Sequence, residues 1–179
     1  ESTVSQPEDS GAGTNPAYGA SLHYYLPDKL DDDDNLSIII FDAHGEIVRT
    51  LSELPRAAGI NRVHWDLRYE QTDEPKLRMP AFEHAHVRAD PDSGFRPVGD
   101  GSRVAVLAPP GEYTVRLTLG DVGLSSFLAV LKDPHSAGSE AEIQVQMALL
   151  FELREALNDA VALINEIDST REQLADVGR

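Results

Sequence analysis

The chain has 179 residues, enough for one domain with its own core plus an extra element and too few for two full enzymes. Its 31 Asp and Glu against 15 Lys and Arg leave a formal charge of −16, which repels phosphate backbones and anionic membrane surfaces and argues against nucleic acid as a partner. It has no cysteine, which excludes disulfide frameworks, zinc-thiolate sites and thiol nucleophiles, and no apolar run approaches the roughly 20 residues that insert across a bilayer.

Residues 1–14 hold almost nothing apolar and read as a linker or disordered lead-in, with the expectation that another segment precedes them. Asn15-Pro16 signals a turn. The following strand alternates, with Leu22, Tyr24 and Leu26 on one face. After a charged loop, "LSIIIFDAHGEIVRTL" predicts a hairpin: a β-branched run, a turn in which Gly45 can take positive φ, and a return strand with Ile47, Arg49 and Leu51 on one face. "INRVHWDLRY" resumes alternation, with Val63, Trp65 and Leu67 on one side and Arg62, His64 and Asp66 on the other.

From about residue 70 to 102 periodicity is lost among Pro, Gly, Asp, His and Arg, which predicts a long loop. Two further strands follow. Pro109, Pro110 and Gly111 turn into the first, whose Tyr113, Val115, Leu117 and Leu119 share a face, and "GDVG" returns into a last strand through Phe127 and Val130. Asp133-Pro134 ends it. Beyond this the period changes to 3.6: Ser139 and Glu142 form a capping box, and Ile143, Met147, Leu150, Leu153, Leu157, Val161, Ile164, Ile167 and Leu174 form one stripe of a helix running to about Asp176. A stripe this long is expected to lie on the sheet for part of its length and on another helix for the rest, supplied by self-association or by the parent polypeptide.

The pattern therefore predicts a mainly β protein, an antiparallel sandwich over residues 15–134 with an amphipathic helical segment over 135–179.

Candidate chemistry is sparse. His64, Trp65 and Asp66 could form an aromatic platform with polar neighbours, but alternation places the two polar side chains opposite the indole and favours a packing anchor. Asp31, Asp32, Asp33 and Asp34 offer carboxylates for calcium, without the glycine or the distal glutamate of a calcium loop; consecutive acids also form solvated turns. His84 and His86, near Glu83 and Asp90, have the spacing of metal ligands on a strand and no evident third ligand; they would serve a metal-dependent hydrolase. No Gly-x-Ser-x-Gly elbow or glycine-rich phosphate cradle is present. Tyr69, Phe82 and Phe95, around the long loop, are the candidate contacts for a glycan if the chain is a carbohydrate-binding module.

The segments "NPAYGASLHYYLP", "LSIIIFDAHGEIVRTL", "AGINRVHWDLRY" and "APPGEYTVRLTLG", with "LKDP" and a helix behind them, resemble the C-terminal region of secreted bacterial proteins with BNR or sortilin-type repeats, often labelled glycosyl-hydrolase-like. The central part is also similar to the immunoglobulin-like domain of the flagellar hook-capping protein. The resemblance implies an immunoglobulin-like sandwich following a β-propeller, an extracytoplasmic location, and chemistry housed in the propeller rather than here. No catalytic, cofactor-binding or metal-binding residue is carried over. The matching positions, including Gly45, Trp65, Gly111 and Tyr113, are structural anchors. The expected role is a non-catalytic accessory or assembly module whose partners are the parent's propeller and, through the helix, a second copy.

Overall fold

The computed structural model describes residues 18–80, 86–99 and 103–177. The lead-in, the Asn15-Pro16 turn and the loop residues Phe82, Glu83 and His84 lie outside them. The described chain contains two antiparallel sheets and one long C-terminal helix, so the mainly β expectation holds. It divides into two compact units. One comprises residues 18–30 and 55–67, the other residues 31–54 and 68–177, which include the larger sheet and the helix.

The smaller unit is a ribbon of β1 (Ala20–Leu26) and β4 (Gly59–Trp65), paired from Ala20 opposite Trp65 to Leu26 opposite Gly59. Alternation works as expected in β1, where Tyr24 and Leu26 are buried and Tyr25 is exposed. In β4 the inward line is Asn61, Val63 and Trp65, and the indole is wholly buried. Asn61 tolerates burial because its amide donates to the carbonyls of Ala57, at 2.7 Å, and Gly59, at 3.3 Å. Tyr24 is anchored in the same way, its hydroxyl donating to the Pro55 carbonyl, and burial raises its pKa while Arg56 opposes the rise. The strand stops at Trp65, and Leu67 turns into the left-handed region at φ 56°, so it does not continue the Val63–Trp65 face. Gly19 is required where it stands: with φ 126°, a Cβ there would lie 2.1 Å from the Trp65 carbonyl oxygen.

The larger unit holds a four-stranded sheet in the order β3-β2-β5-β6, built from β3 (Ile47–Leu51), β2 (Leu36–Phe41), β5 (Gly111–Leu119) and β6 (Val122–Val130). The β2–β3 hairpin turns as the sequence indicates. The Asp42 carboxylate accepts the amides of His44 and Glu46, both at 2.9 Å, and Gly45 takes φ 85°. The register shifts between Ile40 and Phe41, where the step from Ile47 to Arg49 on β3 faces a single step on β2. Val48 is the extra residue of this bulge. It is buried and Ile47 is exposed, which corrects the expected alternation of the return strand. Leu36, Ile38 and Ile40 of β2 form the buried centre of one face, opposite Leu119, Leu117 and Val115 of β5. Tyr113 continues that face, buried, with its hydroxyl donating to the Pro109 carbonyl at 2.7 Å. The expected turn is present as a bend at Pro110, but it makes no use of the conformational freedom of Gly111. That glycine is the first residue of β5, its φ is not positive, and the nearest atom to an added Cβ would be a Tyr113 ring carbon at 4.0 Å.

Helix α1 (Glu140–Val177) begins at the expected capping box. The Ser139 amide and hydroxyl donate to the Glu142 carboxylate at 2.7 and 2.8 Å, which lowers its pKa, and the Ser139 hydroxyl accepts the Glu142 amide at 3.3 Å. No helix among the described residues is long and apolar enough to cross a membrane.

Candidate functional site

No strand backbone runs close alongside α1 among the described residues. Its inner face is met instead by residues 69–80, the first part of the predicted loop, which run along the helix as a strap. The strap is fixed on both sides. Its start pairs with residues 103–107: the amides of Tyr69 and Thr72 donate to the carbonyls of Val106 and Val104, each at 2.8 Å, and Arg103 Nε donates to the Thr72 carbonyl at 2.9 Å. Glu70 binds the β3 edge, its amide donating to the Val48 carbonyl at 2.9 Å and its carboxylate accepting the Thr50 amide at 2.7 Å.

Farther on, polar side chains of α1 take up the strap's backbone amides. Asn158 accepts from Asp73 at 2.9 Å, Asn165 from Lys76 at 2.7 Å, and Asp168 from both Arg78, at 2.7 Å, and Met79, at 3.2 Å. Arg171 donates to the Pro80 carbonyl at 3.0 Å, and Arg78 pairs with Glu172 at 3.3 Å. Extended backbone without a sheet partner needs acceptors for its amides, and these helix positions supply them. Asp168 is buried, and its Oδ1, without a hydrogen-bond partner, lies 3.8 Å from Arg171 Nη1.

The predicted stripe consequently splits around the helix. Met147 and Val161 are buried on the strap side with Asn158, Asn165 and Asp168, whereas Leu153, Ile164, Ile167 and Leu174 are exposed about a quarter-turn away. Leu150, Leu153, Leu157, Ala160, Ile164, Ile167, Arg171 and Leu174 occupy successive a and d positions of a heptad, which is the pattern of a helix–helix seam. Sequence reasoning found the stripe and missed the division, because Asn158, Asn165 and Asp168 resemble ordinary surface residues. Their spacing along one face was the available signal.

The other predicted site residues are scattered. Tyr69 is buried, its ring edge-on to Phe151 with centroids 4.8 Å apart, and burial raises its pKa, with Asp42 adding to the rise and Arg154 opposing it. That corrects its expected availability as a stacking surface for sugar. Phe95 is partly covered by Arg78 and Lys76, which lie 5.2 and 6.0 Å from its centroid. It borders two open depressions, of about 240 Å³ with Asn165 and Glu172 and about 370 Å³ with Asp90 and Pro97. Asp90 closes the 90–95 turn by accepting the amides of Asp92 and Ser93, both at 2.9 Å, and the Ser93 bond is the main cause of its lowered pKa. In the Asp31–Asp34 run the Asp34 carboxylate accepts the Asp31 amide at 2.9 Å, closing a turn on itself. His64 and Trp65 lie on opposite faces of β4, and His64 Nδ1 is 3.3 Å from the Ser21 hydroxyl. Among the described residues no three His, Asp or Glu converge on a point where a metal ion could sit.

No family model, curated protein or solved structure matches the chain.

Proposed function

We propose that this chain is a non-catalytic accessory module of a larger secreted propeller protein, an immunoglobulin-like sandwich with a helix that serves assembly. The observation that carries the reading is the heptad seam of α1, exposed at Leu153, Ile164, Ile167 and Leu174 and turned away from the side that the strap holds through Asn158, Asn165 and Asp168. A rigid helix with one satisfied polar side and one open apolar side is suited to receiving another helix. The immunoglobulin-like and propeller parts of the proposal rest on the strand motifs that resemble those families.

In the isolated chain, a second copy fills the seam. Sedimentation velocity across a concentration series should show association that Ile164→Lys combined with Ile167→Lys weakens by about tenfold or more, with helix content unchanged by circular dichroism. Association indifferent to the two lysines, or a chain monomeric throughout, would refute the helix reading.

A further inference from the structure

The two edges of the larger sheet are managed in opposite ways. At β3 the strand is short, a bulge interrupts its pairing, and Glu70 occupies the outer backbone of Val48 and Thr50. At β6 none of these devices is present among the described residues. The strand has nine residues, "VGLSSFLAV", without a charge or a proline, and it pairs with β5 in unbroken register from Val130 opposite Gly111 to Val122 opposite Leu119. Long, regular, apolar edges are templates for another strand, and natural proteins usually blunt them.

The side chains point to the same conclusion. Leu124, Ser126 and Leu128 face the same way as their β5 partners Leu117, Val115 and Tyr113, so the apolar face that is buried at β2 continues outwards to β6. There it ends in solvent: Leu124 is 67% exposed, and on the other face Phe127 is 87% exposed.

We propose that β6 pairs antiparallel with β6 of a second copy about a two-fold axis through Ser126, joining the two sheets into one. The strand's near-palindromic sequence favours a copy over any other partner. Centred on Ser126, Val122 lies opposite Val130, Gly123 opposite Ala129, Leu124 opposite Leu128, and Ser125 opposite Phe127. Residues of like size and polarity meet at every step except the last, where the phenylalanine ring lies over a serine. The faces also match, since apolar Val122, Leu124, Leu128 and Val130 oppose one another. Charge agrees at the ends: the register brings Lys132 of one copy opposite Gly120 of the other, one residue from Asp121, and the symmetry repeats this at the far end. Between these ends the strand carries no charge, so the −16 of each chain is not concentrated at the contact.

The test uses the absence of native cysteine. In Ser126→Cys the two thiols should meet across the axis, because directly opposite Cα atoms in an antiparallel pair lie about 4.5–5.5 Å apart, within reach of a disulfide. In Gly123→Cys the equivalent thiols are displaced by six residues, about 20 Å along the strand, and should not. The expected result is rapid oxidation of Ser126→Cys to a covalent dimer, little for Gly123→Cys, and loss of the Ser126→Cys dimer when Leu124→Lys is added with the fold intact by circular dichroism. The experiment is repeated with the Ile164→Lys and Ile167→Lys pair, which removes helix association and should leave the disulfide dimer. Failure of Ser126→Cys to cross-link in folded protein, or equal cross-linking of both cysteine variants, overturns the β6 inference. If sedimentation still shows association through α1 in that event, the proposed function stands without it.

Discussion

Replacing Asp168 with alanine removes the acceptor that holds the far end of the strap, and the size of the effect follows from its contacts. Its Oδ2 accepts the Arg78 amide at 2.7 Å and the Met79 amide at 3.2 Å, and the side chain is only 5% exposed. Hydrogen bonds to a charged group contribute about 1.5–3 kcal/mol each, and the lower figure of about 1.5 for each of the two gives about 3 kcal/mol. Removing the carboxylate also removes the cost of burying it, a cost incompletely offset because Oδ1 has no hydrogen bond and meets Arg171 only at 3.8 Å. A net loss of about 2 kcal/mol corresponds to an approximately 30-fold larger opening equilibrium of the strap. Hydrogen exchange of the Arg78 and Met79 amides, followed by NMR, should accelerate by about that factor in Asp168→Ala, and trypsin should cut faster after Lys76 and Arg78. Amides of β2 and β5 should keep their rates, since the strap opens locally. Unchanged exchange at Arg78 and Met79 would refute the assignment of Asp168 as the strap's anchor. Equal acceleration everywhere would show instead that the carboxylate holds the unit as a whole.

Two further predictions concern the cores. Trp65→Ala empties the largest wholly buried site of the ribbon and should lower unfolding free energy by about 3–5 kcal/mol, read from denaturant midpoints; a loss under about 1 kcal/mol would show that the indole is not an anchor. The pKa values of Tyr69 and Tyr113 are raised above 10.0, chiefly by burial, so both stay neutral in the fold at pH values where the unfolded chain ionises. Their contribution is therefore fully present below pH 10.0 and lost as pH rises beyond it. Thermal unfolding should move to lower temperature above that pH, and Tyr69→Phe should reduce the drop. A midpoint independent of alkaline pH would contradict the burial argument.

The features legible in the sequence are those encoded by local periodicity or by a fixed-distance motif. The helix announced itself through a 3.6 period and the Ser139–Glu142 box, and the Asp42–Gly45 turn through residues that close their own backbone. The indole of Trp65 was placed by alternation alone. The bulge at Val48 was hidden because one extra residue reverses inside and outside without changing composition. The turn before β5 was legible from Pro109 and Pro110, and only the part given to Gly111 was not, since that residue is already extended in the strand. The strap was illegible for a different reason. Its partners on the helix are side chains, but apart from the Arg78 guanidinium its own bonding groups at positions 73–79 are backbone amides, which leave no trace in the residue types. Tyr69 likewise appeared free beside a polar loop, when its amide is tied to Val106 and its buried ring lies against Phe151.

The assembly reading depends on which side of α1 becomes covered when copies meet. Ile167→Cys lies on the open seam, and Gln173→Cys lies on the far side of the helix, exposed and away from it. The rates at which a thiol reagent modifies these cysteines, measured in dilute and in concentrated protein, decide the matter. The account predicts that modification of Ile167→Cys slows by about tenfold or more on concentration, as the seam is occupied, while Gln173→Cys keeps its rate. Equal rates for the two cysteines at every concentration would contradict it.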